Sequence, residues 1–150
     1  MSKKIFKKVG LFVTTTAISI MLPTTALANR FLDQIRGQLM LAAISANINQ
    51  YKLTHEPFLD SLDRGNADYL NINLLSGNSY TILGVCDEDC GDMDLKLYDE
   101  NGNLIDSDTI YDDTPVVNVT PNWSGRFQVK VTMPSCTNSP CYYGVGVWGR

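Results

Sequence analysis

Residues 86–102 read Cys86-Asp87-Glu88-Asp89-Cys90-Gly91-Asp92-Met93-Asp94-Leu95-Lys96-Leu97-Tyr98-Asp99-Glu100-Asn101-Gly102. In the second half, Leu95 and Leu97 alternate with Asp94, Lys96 and Tyr98, the period of a strand with one dry face. Asn101-Gly102 favours positive φ, and a further run, 104–108, follows it, which predicts a hairpin. The first half is an acidic loop bracketed by cysteines, as expected of a chain that folds in an oxidising compartment.

The same texture extends in both directions. Runs at 69–75, 80–85, 116–120, 126–132 and 142–148 join 94–98 and 104–108, and Ser76-Gly77-Asn78 marks the first turn. Several short strands at this spacing predict a β-sandwich or barrel. The alternation places Leu70, Ile72, Leu74, Leu95, Leu97, Val117, Val119, Phe127, Val129 and Val131 inward, with Tyr142, Tyr143 and Trp148 closing one end.

Ahead of the strands, Phe31, Ile35, Leu39, Ala42 and Ala46 recur at helical spacing, joined by Leu41, Ile44 and Ile48, so residues 30–50 are expected to form one amphipathic helix. Lys3, Lys4, Lys7 and Lys8, an apolar run over 9–22 and Ala26-Leu27-Ala28 have the three parts of a secretory signal. That run is broken by Thr14, Thr15 and Thr16 and is shorter than the roughly 20 residues of a spanning helix. The expected organisation is a signal over 1–28, a helix and linker over 29–57 and a β-domain over 58–150. No membrane span is expected after cleavage, and the product is periplasmic or secreted. Cleavage would leave 8 Lys and Arg against 16 Asp and Glu, a formal charge of −8, with 11 of the carboxylates between Asp87 and Asp113. Nucleic acid is excluded as a partner on that balance, because phosphate binding needs clustered cations.

Gly77-Asn78-Ser79-Tyr80-Thr81-Ile82, the segment from Asp92 to Gly102, Pro115-Val116-Val117-Asn118-Val119-Thr120-Pro121 and Gly125-Arg126-Phe127-Gln128-Val129-Lys130-Val131 follow in an order that resembles the bacterial pre-peptidase C-terminal domain over about residues 66–149. The resemblance implies a jelly-roll-like antiparallel β-sandwich, here preceded by one α-helix. It also implies an accessory role beside a secreted peptidase, as a calcium-responsive or substrate-binding module and not as the catalytic part. The chain departs from the family in having only a signal and a helix ahead of the domain, and in its two cysteine pairs.

Cys86, Cys90, Cys136 and Cys141 allow three pairings, of which Cys86 with Cys90 and Cys136 with Cys141 is favoured because each pair brackets a loop able to bend back. A four-cysteine zinc site is the rival, at a spacing wider than the usual Cys-x2-Cys knuckle. Five carboxylates within 87–94 repel one another unless neutralised, so Ca²⁺ is a candidate cofactor with Asp87, Asp89, Asp92 and Asp94 as ligands; a solvated acidic surface is the alternative. His55 is the sole histidine, and no nucleophile elbow, zinc-protease or phosphate-loop motif occurs, so no enzyme is expected. Tyr98, Tyr111, Trp123, Tyr142 and Trp148 fall on outward phases or loops and are candidates for a binding platform. Asn118-Val119-Thr120 and Asn122-Trp123-Ser124 match the glycosylation pattern but read as strand and turn chemistry in an exported bacterial chain. The functional expectation is a non-catalytic module engaging an extracellular or periplasmic protein or polysaccharide. A stabilising or inhibitory partner of a separate peptidase, and an unrecognised hydrolase, are the alternatives.

Overall fold

The computed structural model describes residues 24–48 and 50–150. The signal expected over 1–28 lies outside the described residues as far as position 23. The helix α1 (Thr24–Ser45) comes first. Nine strands follow among the described residues: β1 (Lys52–Leu53), β2 (Phe58–Leu62), β3 (Ala67–Leu74), β4 (Tyr80–Cys86), β5 (Cys90–Tyr98), β6 (Leu104–Asp108), β7 (Val116–Val119), β8 (Gly125–Cys136) and β9 (Cys141–Gly149).

All strand pairs are antiparallel. The first sheet runs β1-β9-β4-β7, with β2 continuing β1 along the same edge of β9, and the second runs β3-β8-β5-β6. The pairing is nested: β2 with β9, β3 with β8, β4 with β7 and β5 with β6. Such nesting folds one long antiparallel ribbon into two stacked sheets, the wiring of a jelly roll. Between the sheets lies the expected core. Ile72, Leu74, Leu95, Leu97, Val117, Phe127, Val129 and Val131 are 2% exposed or less, Leu70 is also buried, and Val119 packs against them.

A second core explains why β4 is buried along its whole length. Its alternate residues face opposite ways: Ile82 enters the sandwich, whereas Leu83 and Val85 meet Ile35, Leu39 and Ala43 of α1 together with Trp148. Burying Ile35 and Leu39 completely contributes about 1.5–3 kcal/mol each. The close approach requires glycine on β9, since a Cβ on Gly144 would lie 2.6 Å from Ile35 Cγ2.

Several expectations are corrected. The helix stops at Ser45, not 50, because Asn47 adopts φ 56°. There the N–H of Asn47 bonds Ile44 O at 3.1 Å and that of Ile48 bonds Ala43 O at 3.4 Å, a Schellman cap. Leu41 and Ile44, assigned to the apolar face, are 66% and 63% exposed, because the docked stripe follows Ile35, Leu39 and Ala43. The strands β1 and β2 lie outside the runs expected from the sequence, because these short edge pieces, flanked by Pro57 and broken by Asp60, show no clean alternation. Finally, β5 begins at Cys90, so part of the acidic stretch is strand and not loop.

Candidate functional site

Two regions contain the expected site residues. At one end of the sandwich, the chain crosses between sheets twice: residues 87–89 lead from β4 to β5, and residues 137–140 lead from β8 to β9. A disulfide closes each crossing, Cys86–Cys90 and Cys136–Cys141, both with Cα atoms 5.9 Å apart, which is the expected pairing. Cys90 stands opposite Cys136 in the strand register, so the two bridges are neighbours. The acidic loop laces the crossings together. Asp87 exchanges backbone hydrogen bonds with this region and its Oδ2 accepts the Tyr142 N–H at 3.0 Å, while Asp89 O accepts the Thr137 N–H at 2.8 Å and Asp89 Oδ1 accepts Asn138 Nδ2 at 2.6 Å.

Burial is the first cause raising the Asp87 carboxyl above its ordinary 3.8, opposed by the Tyr142 N–H. Asp94 is also raised, by burial and then by the charge of Asp92. One oxygen each of Asp87 and Asp92 is buried without a hydrogen-bond partner. Even so, among the described residues no three His, Cys, Asp or Glu side chains form a group able to hold a metal ion. One oxygen each of Asp87 and Asp89 accepts from the facing loop. Over this end lies Tyr111, 74% exposed, with its hydroxyl 3.3 Å from where a Cβ on Gly91 would stand.

The five expected aromatics do not form one platform. Trp148 is 5% exposed beneath α1, and Tyr142 stacks on Phe31 with centroids 5.0 Å apart. Both do point away from the sandwich, but the helix covers that face of the first sheet. Trp123 stacks on Phe127 at 5.5 Å, and Tyr98 lies on the outer face of the second sheet.

Among the described residues no helix covers that second outer face. The register aligns Tyr69, Lys130 and Lys96 in one row and Asn71, Gln128 and Tyr98 in the next, with Asn73 beside Arg126. The Lys130 ammonium lies over the Tyr69 ring, 5.6 Å from its centroid. At the hairpin end the rows open into a cavity of about 310 Å³ lined by Asn71, Asp99, Glu100, Arg126, Phe127 and Gln128.

The hairpin turn shapes one wall of this cavity. Gly102 takes φ 80°, as its pairing with Asn101 led one to expect, and Asp99 holds the loop. Asp99 Oδ1 accepts the N–H groups of Asn101 at 2.9 Å and Asn103 at 2.8 Å, and Oδ2 accepts Asn103 Nδ2 at 2.8 Å. The Asn103 side chain, then the backbone donors, hold this carboxyl below its ordinary value against the effect of burial. Of these cavity residues none was singled out from the sequence. Their period of two was visible, but which polar residues become neighbours depends on register.

His55 Nδ1 lies 2.9 Å from Thr54 Oγ1, its hydrogen-bond partner among the described residues. Among the described residues no carboxylate hydrogen-bonds or ion-pairs with His55. Asn118 of the first glycosylation pattern accepts from Thr81 Oγ1 at 2.8 Å, in keeping with strand chemistry.

No family model and no curated protein matches the chain. Among solved structures it is similar to the crystal structure of Aeromonas hydrophila PliG, a periplasmic lysozyme inhibitor of g-type lysozyme, at 9% identity and a TM-score of 0.49, over 63% of this chain and 85% of that one. No described helix is long and apolar enough to cross a membrane.

Proposed function

We propose that the chain is an exported, non-catalytic binding module that holds an extracellular or periplasmic macromolecule against the outer face of its second sheet. The observation that carries this reading is an asymmetry between the two sheets: α1 seals one outer face with a second core, and the other stays open with amides, tyrosines, cations and a cavity. Uncovered concave sites with convergent polar groups are where ligands bind. Export is supported by the signal-like residues 1–28 and the disulfide-closed crossings. An accessory role is in keeping with the resemblance to the pre-peptidase C-terminal domain.

The test is affinity capture from the exported fraction and envelope of the source cell on immobilised protein. Wild type and a helix-face control, Leu41→Ser, are expected to retain the same component, and Asn71→Ala with Gln128→Ala to release it. Retention by the double variant equal to that of wild type would place binding elsewhere. Turnover of any substrate in a broad hydrolase panel would overturn the non-catalytic part.

A further inference from the structure

The groups left free in the cavity indicate what it takes. Asp99 lines the wall, but its oxygens already accept three hydrogen bonds from the turn. Glu100 and Arg126 remain, and neither side chain has a hydrogen-bond or ion-pair partner among the described residues. Their charges are opposite, so the cavity offers a ligand one anionic acceptor and one cationic fork, in a lining that the Asp99 carboxylate leaves net negative.

Beside them, Gln128 Nε2 donates to Asn71 Oδ1 over 3.4 Å. That bond leaves Gln128 Oε1 as an acceptor and Asn71 Nδ2 as a donor, both at the cavity. Phe127, 1% exposed with its ring in the sandwich core, meets the cavity only at its floor, and Trp123 stacks on that ring. Gly125 allows this closure, since a Cβ there would stand 3.3 Å from both Glu100 Oε2 and Trp123 Cδ1.

Convergent donors and acceptors match a ring bearing adjacent hydroxyls, each of which both donates and accepts, and the net negative lining opposes an anionic polymer. The volume of about 310 Å³ is at the lower end of the roughly 300–1,000 Å³ typical of small-ligand sites, suited to one ring of a longer chain. We infer that this cavity is a subsite for one sugar residue of a neutral polysaccharide, with Arg126 and Asn71 donating to ring hydroxyls and Glu100 and Gln128 accepting from them. The rest of the polymer lies along the Tyr98–Gln128–Asn71 row. The inference rests on the binding reading above and gives it a ligand class.

The experiment measures binding of the whole exported chain to glucan oligosaccharides, N-acetylglucosamine oligosaccharides, polygalacturonate and casein. The variants are Arg126→Gln, Gln128→Ala, Lys130→Gln on the same face outside the cavity, and Leu41→Ser on the helix, with circular dichroism and melting confirming that each is folded. One of the two neutral glycans is expected to bind wild type, with about tenfold or greater weakening in Arg126→Gln and Gln128→Ala and less than about twofold change in the helix-face control Leu41→Ser. Polygalacturonate bound alone and lost in Lys130→Gln would overturn the neutral-sugar inference while leaving the binding face in place. Casein bound alone through Gln128 would do the same. A wild-type protein that binds none of the four, and captures nothing from its own envelope, would overturn both.

Discussion

Asp106 of β6 reaches across from the second sheet to the first, where its Oδ2 accepts the backbone N–H of Asn118 in β7 at 2.7 Å. Two residues on, Asp108 Oδ2 accepts the N–H of Val116 at 2.9 Å. β7 is the edge of its sheet, so these carboxylates occupy donors that would otherwise be open to another chain. Part of the acidity read from the sequence thus closes the sandwich. Replacing both aspartates with alanine is expected to cost about 1.5–3 kcal/mol per bond, toward the lower end because Asn118 is exposed, and to produce concentration-dependent association. Urea midpoints and sedimentation check this; a double variant as stable and as monomeric as wild type would show that the edge needs no cover. Asn at both positions, which keeps an acceptor oxygen, is expected to recover most of the loss.

The docking of α1 depends on Gly144. Gly144→Ala puts a methyl against Ile35 and is expected to destabilise by about 1–3 kcal/mol through overpacking. In a Trp123→Phe background, Trp148 becomes the sole tryptophan reporter, and its emission is expected to shift red as the helix loosens over it. Unchanged emission and an unchanged denaturation midpoint would mean that the helix can move aside without loss.

Non-reducing peptide mapping is expected to return Cys86 joined to Cys90 and Cys136 joined to Cys141. Each closes a short loop and contributes about 2 kcal/mol by chain entropy, so reduction lowers the melting temperature by several degrees. A peptide joining Cys86 to Cys136 or Cys141 would contradict the observed crossings.

Acid acts with opposite signs on two carboxylates. Burial raises Asp87 above 3.8, so the folded chain holds that proton more tightly than the unfolded one. Its ionisation therefore opposes folding at neutral pH, and the penalty fades as pH falls through the raised value. Asp99 is lowered by the Asn103 side chain and the turn amides, so its contribution is present above the unfolded value and lost as pH falls through the folded one. Asp87→Asn is expected to raise the melting temperature at about pH 7, with the gain vanishing below about pH 4. Asp99→Asn is expected to lower it at about pH 7 and to matter little once both states are protonated. Melting curves across that range decide the matter; a pH-independent effect of Asp87→Asn would remove burial of charge as its cause.

Local order alone makes much of this architecture legible. Alternation at Leu95 and Leu97, or at Phe127, Val129 and Val131, reports which side of a strand is dry, and the Asn101-Gly102 pair reports a hairpin, because both signals lie within a few consecutive residues. The cysteine pairing was readable for the same reason: each bridge closes a loop of a few residues. Register and layering are long-range and leave no such trace. Nothing local says that Asn71 lies beside Gln128, or that Asp106 spans to Asn118. The period of two sends Trp148 and Tyr142 away from the sandwich, but only the packing of α1 on β4 and β9 turns that outward face into a second core and leaves the other sheet face open. A strand's own sequence specifies that it has two faces, and the placement of every other element decides which of them meets solvent.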